Sequence, residues 1–100
     1  MTGNQWLNTL GLIQRAGKLI SGEELVTKAI QKKKVFFVLV SEDASENTKK
    51  KILNKCDYYN IPCAVKGDRS SIGRAVGKEE RVVIGVGDAG FAKMMRSLIE

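Results

Sequence analysis

Residues 18–34 read KLISGEELVTKAIQKKK. The stretch opens as a short apolar strand, Lys18 to Ser21, hinges at Gly22 and enters a helix at Glu23. Leu25, Val26, Ala29 and Ile30 recur at the helical period and predict one buried face. Glu24, Lys28 and Lys32 form a second stripe towards water, and Lys32, Lys33 and Lys34 crowd the helix end. A helix start exposes backbone N–H groups at the positive end of the aligned peptide dipoles. Phosphates favour such a place. With a cationic face leading away from it, the segment points to an RNA or DNA backbone as ligand.

Working outward, residues 4–16 predict a helix, with Trp6, Leu7, Leu10 and Ile13 at helical spacing and Gly17 at its C-terminal end. Residues 35–40, VFFVLV, are continuously apolar and β-forming, as in a central strand covered on both faces. Ser45 is placed to cap a helix with Thr48, Ile52, Cys56 and Tyr59 on one side and Lys49, Lys50, Lys51 and Lys55 towards water. Ile61 to Val65 predicts a short strand, with Pro62 marking its start or a sheet edge. Asp68 is a plausible cap for a helix over 69–76, which Gly77 ends. Residues 82–86 predict another buried strand. Asp88 caps a last helix in which Phe91, Met94, Met95, Leu98 and Ile99 follow amphipathic spacing. Helices and four strands therefore alternate along one α/β domain spanning residues 1–100, with a parallel or mixed sheet between two helical layers. No repeat, linker or low-complexity tract interrupts it.

Seventeen Lys and Arg against eleven Asp and Glu give a net charge of +6, a balance that fits a nucleic-acid binder or, more blandly, a basic protein with no polyanionic partner. The chain has no histidine, which removes the commonest proton-transfer side chain and metal ligand. Cys56 and Cys63 lack metal-ligand spacing and read as reduced core residues. No GxxxxGKS/T phosphate loop occurs. Gly85-Val86-Gly87 lacks the third glycine of a dinucleotide loop, so Gly85 reads as a close-packing point in a strand. Glu23 and Glu24 sit in a helix first turn, where acidic groups are stabilising without any catalytic role. We therefore expect no catalytic residue, metal or cofactor. No signal peptide is read and no apolar run approaches the ~20 residues that cross a bilayer. The expected setting is cytoplasmic, away from membranes, with nothing demanding more than a monomer.

Two features carry alternative readings. Glu24 and Lys28 are spaced for an (i, i+4) ion pair worth ~0.2–0.5 kcal/mol. Alternatively Lys28 reaches a phosphate or base edge while Glu24 accepts from a base amino group and so selects the base. The run Lys49-Lys50-Lys51 is either a solvated helix face or a source of long-range attraction to RNA. Aromatic residues are few and not interleaved with the basic ones; Phe36 and Phe37 fall in the predicted buried strand, and Tyr58 and Tyr59 end a helix. This disfavours a single-strand stacking platform and favours structured RNA met by a helix end and loops.

The residues resemble the kink-turn RNA-binding family of ribosomal proteins L7Ae and L30e, and more narrowly its small bacterial members. The resemblance covers nearly the whole chain. It is carried by Ser21-Gly22-Glu23-Glu24-Leu25-Val26-Thr27-Lys28-Ala29, Ser41-Glu42-Asp43-Ala44, Asn60-Ile61-Pro62 and Ile72-Gly73-Arg74-Ala75-Val76-Gly77, in that order. It implies a three-layer α/β/α sandwich with a four-stranded mixed sheet. It also implies binding to a kink-turn, a sharply bent RNA helix with tandem sheared G·A pairs, through the glycine-led turn and the helix after it. Gly22 and Lys28 match the family's Gly-x-Asn-Glu-x-x-Lys; Glu24 stands at the asparagine and Leu25 at the glutamate. Lys32 falls at a basic phosphate contact. The loop 78–81 is charged where the family's is apolar, leaving Lys78 and Arg81 to meet phosphates. The candidate RNA-binding set is Lys18, Gly22, Glu23, Glu24, Lys28, Lys32, Lys78 and Arg81. The expected activity is non-catalytic recognition of kinked structured RNA, in association with the ribosome or another ribonucleoprotein. The competing reading is a module that docks on a ribosomal or RNA-processing protein without touching RNA.

Overall fold

Alternation along the two inner strands decides the architecture. In a computed structural model, which describes residues 4–99, the elements run α1 Gln5–Arg15, β1 Leu19–Ser21, α2 Glu23–Gln31, β2 Phe37–Val40, α3 Glu46–Tyr58, β3 Cys63–Val65, α4 Arg69–Ala75, β4 Val83–Val86 and α5 Ala89–Ile99. The sheet order is β1-β4-β2-β3. β4 pairs antiparallel with both β1 and β2, while β2 and β3 run parallel. This is the four-stranded mixed sheet and α/β/α sandwich expected from the sequence.

Successive side chains of a strand point to opposite faces. Phe37 and Leu39 of β2, with Ile84 and Val86 of β4, join Trp6, Leu10 and Ile13 of α1, Ile72 of α4 and Ala92 and Met95 of α5 in one core. Val38, Val40 and Val83 point the other way and join Val26, Ala29 and Ile30 of α2 and Ile52 and Cys56 of α3. Both inner strands are buried throughout because each face has its own helical layer. Gly85 lets α2 approach the sheet: a Cβ there would lie 3.0 Å from Val35 Cγ1 and 3.5 Å from Val26 Cγ2.

Caps follow the sequence. Ser45 Oγ accepts from Thr48 N at 3.2 Å, Asp68 Oδ2 from Ser71 N at 3.1 Å and Asp88 Oδ2 from Phe91 N at 2.9 Å. The Ser71 hydroxyl, which also donates to Asp68, holds the Asp68 carboxyl below its ordinary range. Hydrogen bonding to Cys56 and then burial push the Cys63 thiol up, and both cysteines are free.

The first four helices end alike. After each, a residue with positive φ donates its N–H three residues back, and the next N–H reaches five back, as in Gly17 N to Gln14 O and Lys18 N to Ile13 O. This pair of hydrogen bonds satisfies carbonyls the helix leaves open. The left-handed residue is Gly17 after α1, Asn60 after α3 and Gly77 after α4, but Lys33, with φ 57°, after α2. A lysine there carries steric strain that glycine avoids. Lys33→Gly is expected to raise unfolding stability by about 0.5–1 kcal/mol, checked by the urea midpoint; no change or a loss would show that Lys33 is not strained.

Three sequence expectations are corrected. Leu25 is not in the core: it is 59% exposed, because the nine-residue α2 turns Val26 and Ile30 squarely onto the sheet and leaves Leu25 at its flank. Phe36 is not in the buried strand. The chain bends there, Val35 and Phe37 fall into opposite cores, and Phe36 stands 45% exposed. Met94 is exposed on α5, while its neighbour Met95 is fully buried.

Candidate nucleic-acid interface

The glycine turn between β1 and α2 sets the geometry. Gly22 has φ 101°, a conformation side chains resist. Its N–H is taken by Val83 O at 3.0 Å and its carbonyl by Val26 N at 3.0 Å, which locks α2 onto the sheet. The Gly22 amide is therefore not available to a ligand. No side chain caps α2, so the N–H groups of its first turn are left for an outside acceptor.

Leu25, Lys28 and Lys32 follow one another at i, i+3 and i+7, so they form a single stripe along α2. That stripe forms one wall of a groove of about 660 Å³. Leu19, Ile20 and Ser21 of β1 line its floor, and Lys78 and Arg81 close it from the loop between α4 and β4. Lys34 adds a fifth cation, and among the described residues no carboxylate lines the groove. The apolar surface of Leu19, Ile20 and Leu25 thus lies within a ring of positive charge.

The loop bearing Lys78 and Arg81 is fixed by backbone bonds rather than by its charges. Lys78 N donates to Gly73 O at 2.8 Å, and Arg81 N donates to Arg69 O at 3.1 Å. Gly73 permits this: a Cβ on it would fall 2.5 Å from Glu79 O.

Of the residues singled out from the sequence, Lys28, Lys32, Lys78 and Arg81 meet in this groove. Gly22 forms the turn at its end. Lys18 does not join them; it lines a neighbouring groove with Phe36 and Lys33. Glu23 is occupied elsewhere: its carboxylate accepts from Thr48 Oγ1 at 3.2 Å and from Lys51 Nζ at 3.1 Å, clasping α2 to α3. Glu24 is exposed outside the groove, on a surface it shares with Thr27, Lys28 and Gln31, and closes no ion pair with Lys28. Leu25 and Lys34 were not singled out as groove residues. The i, i+3, i+7 spacing of Leu25 with the two lysines is the signal that picks out Leu25; Lys34 carries no such mark, because it lies beyond the helix.

The titratable groups of the groove form no acid–base pair, and among the described residues no cluster of His, Cys, Asp or Glu is suited to hold a metal ion. No helix among them is long and apolar enough to cross a membrane. What the arrangement provides is a positively charged, partly apolar cleft beside an uncapped helix start.

The profile of the ribosomal protein L7Ae/L30e/S12e/Gadd45 family matches residues 4–95. The chain belongs to that family. It is 47% identical over its whole length to the whole of the RNA-binding protein YlxQ of Bacillus subtilis (strain 168). It is 48% identical to the RNA-binding protein YlxQ of Enterococcus faecium, over 94% of this chain and 90% of the relative. Among solved structures, a Bacillus halodurans C protein described as of unknown function superposes with a TM-score of 0.92 at 54% identity, covering 94% of this chain and 95% of that one. The Giardia lamblia 15.5kD RNA binding protein superposes with a TM-score of 0.77 at 17% identity, covering 92% and 85%, a likeness of fold alone. The fold is thus shared with that protein at 17% identity.

Proposed function

We propose that this protein binds structured RNA at a kink-turn, without catalysis, through the groove between β1, α2 and the 78–81 loop, and that it acts on the ribosome or another ribonucleoprotein. One observation carries the reading: Lys28, Lys32, Lys34, Lys78 and Arg81 converge around an apolar strip with no carboxylate among them. Lysine and arginine supply attraction to phosphate, while the exposed Leu25 supplies contact area to a base or ribose lying in the opened groove. Glu24 is not among the residues lining the groove, although Lys28 borders both the groove and the surface Glu24 occupies; the base-facing part falls to Leu25 in this reading. The RNA-binding names of the two YlxQ relatives support the same class of ligand.

A kink-turn duplex with tandem G·A pairs, set against a straight duplex of equal length and composition, tests this by gel shift. The kinked RNA is expected to bind at least about tenfold tighter, since each lost specific contact costs ~1–3 kcal/mol. Its affinity should fall with salt, with a log–log slope between about −2 and −4 set by the cations engaged. Equal binding of both duplexes would remove kink recognition. Salt-insensitive capture on a protein partner from nuclease-treated extract would favour the protein-docking alternative.

A further inference from the structure

A second basic groove lies on the other side of β1. Its lining includes Lys18, Lys33, Lys34 and Phe36, and it is an open surface groove of about 520 Å³. Gly87 lies at its base, where a Cβ would sit 3.4 Å from Lys34 O and 3.5 Å from Lys18 O. Leu19, Ile20 and Lys34 line both grooves, so the two are continuous across the strand.

Two further features are unexplained by folding. Phe36 exposes an aromatic ring at a bend, although the residues on either side are buried. Lys33 holds a left-handed conformation where the other helices sharing this ending have Gly17, Asn60 or Gly77. Its backbone thereby directs a third lysine into the groove around the Phe36 ring. Among the described residues no carboxylate lines it.

We propose that this groove takes an unpaired nucleotide of the bound RNA, its base stacked on Phe36 and its phosphates met by Lys18, Lys33 and Lys34. An aromatic face ringed by cations matches a base joined to a phosphodiester, and base–aromatic stacking tolerates any sequence because every base has a π-face. The groove would then bind single-stranded RNA flanking the kink. This rests on the RNA-binding reading above and extends it from the bent duplex to its unpaired neighbour.

The test uses a blunt kink-turn duplex and the same duplex with a short unpaired extension on one stem or the other. The extension is expected to tighten binding of the natural protein by about tenfold. Phe36→Ala should abolish that gain and leave the blunt duplex bound as before. Phe36→Trp should retain the gain, and Phe36→Leu, apolar but not planar, should not. An extension that adds nothing, or a gain that survives Phe36→Ala, would overturn the proposal. So would RNA binding indifferent to Phe36 together with Phe36-dependent capture of a protein. If the blunt duplex itself does not bind, the kink-turn reading fails on its own. The nucleotide site is then judged with an unstructured oligouridine: binding lost in Phe36→Ala upholds it, and binding unaffected or absent overturns it.

Discussion

Lys28→Glu is expected to weaken binding of a kink-turn RNA by about a hundredfold or more. Lys28 lies midway in the α2 stripe, between Leu25 and Lys32, and forms no ion pair among the described residues. Its cation is therefore free to meet a phosphate or base edge. Removing such a contact costs ~1–3 kcal/mol. Reversing the charge adds repulsion of the phosphates drawn in by Lys32, Lys34, Lys78 and Arg81. Stability should fall only modestly, by about 1 kcal/mol, because the site is exposed and glutamate and lysine have similar helix propensity. Most of that loss comes from putting an anion in the last turn of α2, at the negative end of the helix, and a few tenths of a kcal/mol come from Glu24 four residues away. Titration of labelled RNA beside a thermal melt separates the two effects. A variant that stays folded and binds normally would move the interface off this face of α2.

Gly73→Ala is expected to lower stability by about 2 kcal/mol and to take RNA affinity down with it. On an exposed helix the same change would help, since alanine is favoured over glycine by ~1 kcal/mol. Here the new methyl meets main chain that cannot turn aside: Glu79 O at 2.5 Å, Glu79 C at 2.7 Å and Glu80 Cα at 2.8 Å. Overpacking of this kind costs ~1–3 kcal/mol, sometimes more, which outweighs the helix preference. The strain is relieved by pushing out the loop that carries Lys78 and Arg81. Urea unfolding and gel shift should therefore both register the change. An unchanged unfolding midpoint would mean that the loop yields freely, and its cations are then not held in place as described.

Much of the fold is legible in the sequence because its signals are local. Ser45, Asp68 and Asp88 are caps whose side chains bind backbone three residues on, and no distant residue can overrule them. The apolar runs at 35–40 and 82–86 contain the two central strands, at 37–40 and 83–86, each covered on both faces. The errors fall where tertiary geometry breaks a local tie. Leu25 lies on the margin of the apolar arc of α2, and whether it faces the sheet depends on a rotation of the helix that Gly22 and Gly85 decide. Phe36 belongs to an unbroken apolar run, and only the bend beside it turns it out.

The candidate groove was readable in its charges and less so in its neighbours. Lys28 and Lys32 declare themselves by spacing on one helix. Lys78 and Arg81 come from a segment some fifty residues away, and only the resemblance to a known family brought them forward. Glu23 matched the same stretch of sequence yet serves to join α2 to α3. A carboxylate next to a lysine-rich helix looks the same on paper whether it faces a ligand or Lys51. Glu24 escaped in the same way, since the side of α2 on which it emerges is set by packing.

β1 is three residues long and pairs on one side only, with β4. Its outer rim bears unsatisfied peptide groups of the kind that recruit a like strand from another molecule. Lys18, Lys28, Lys32 and Lys34 stand about that rim, and like charges keep such rims apart. The cations proposed to draw in a polyanion would therefore also guard the free protein against stacking on itself. A variant stripped of them to silence RNA binding would trade that silence for a tendency to clump.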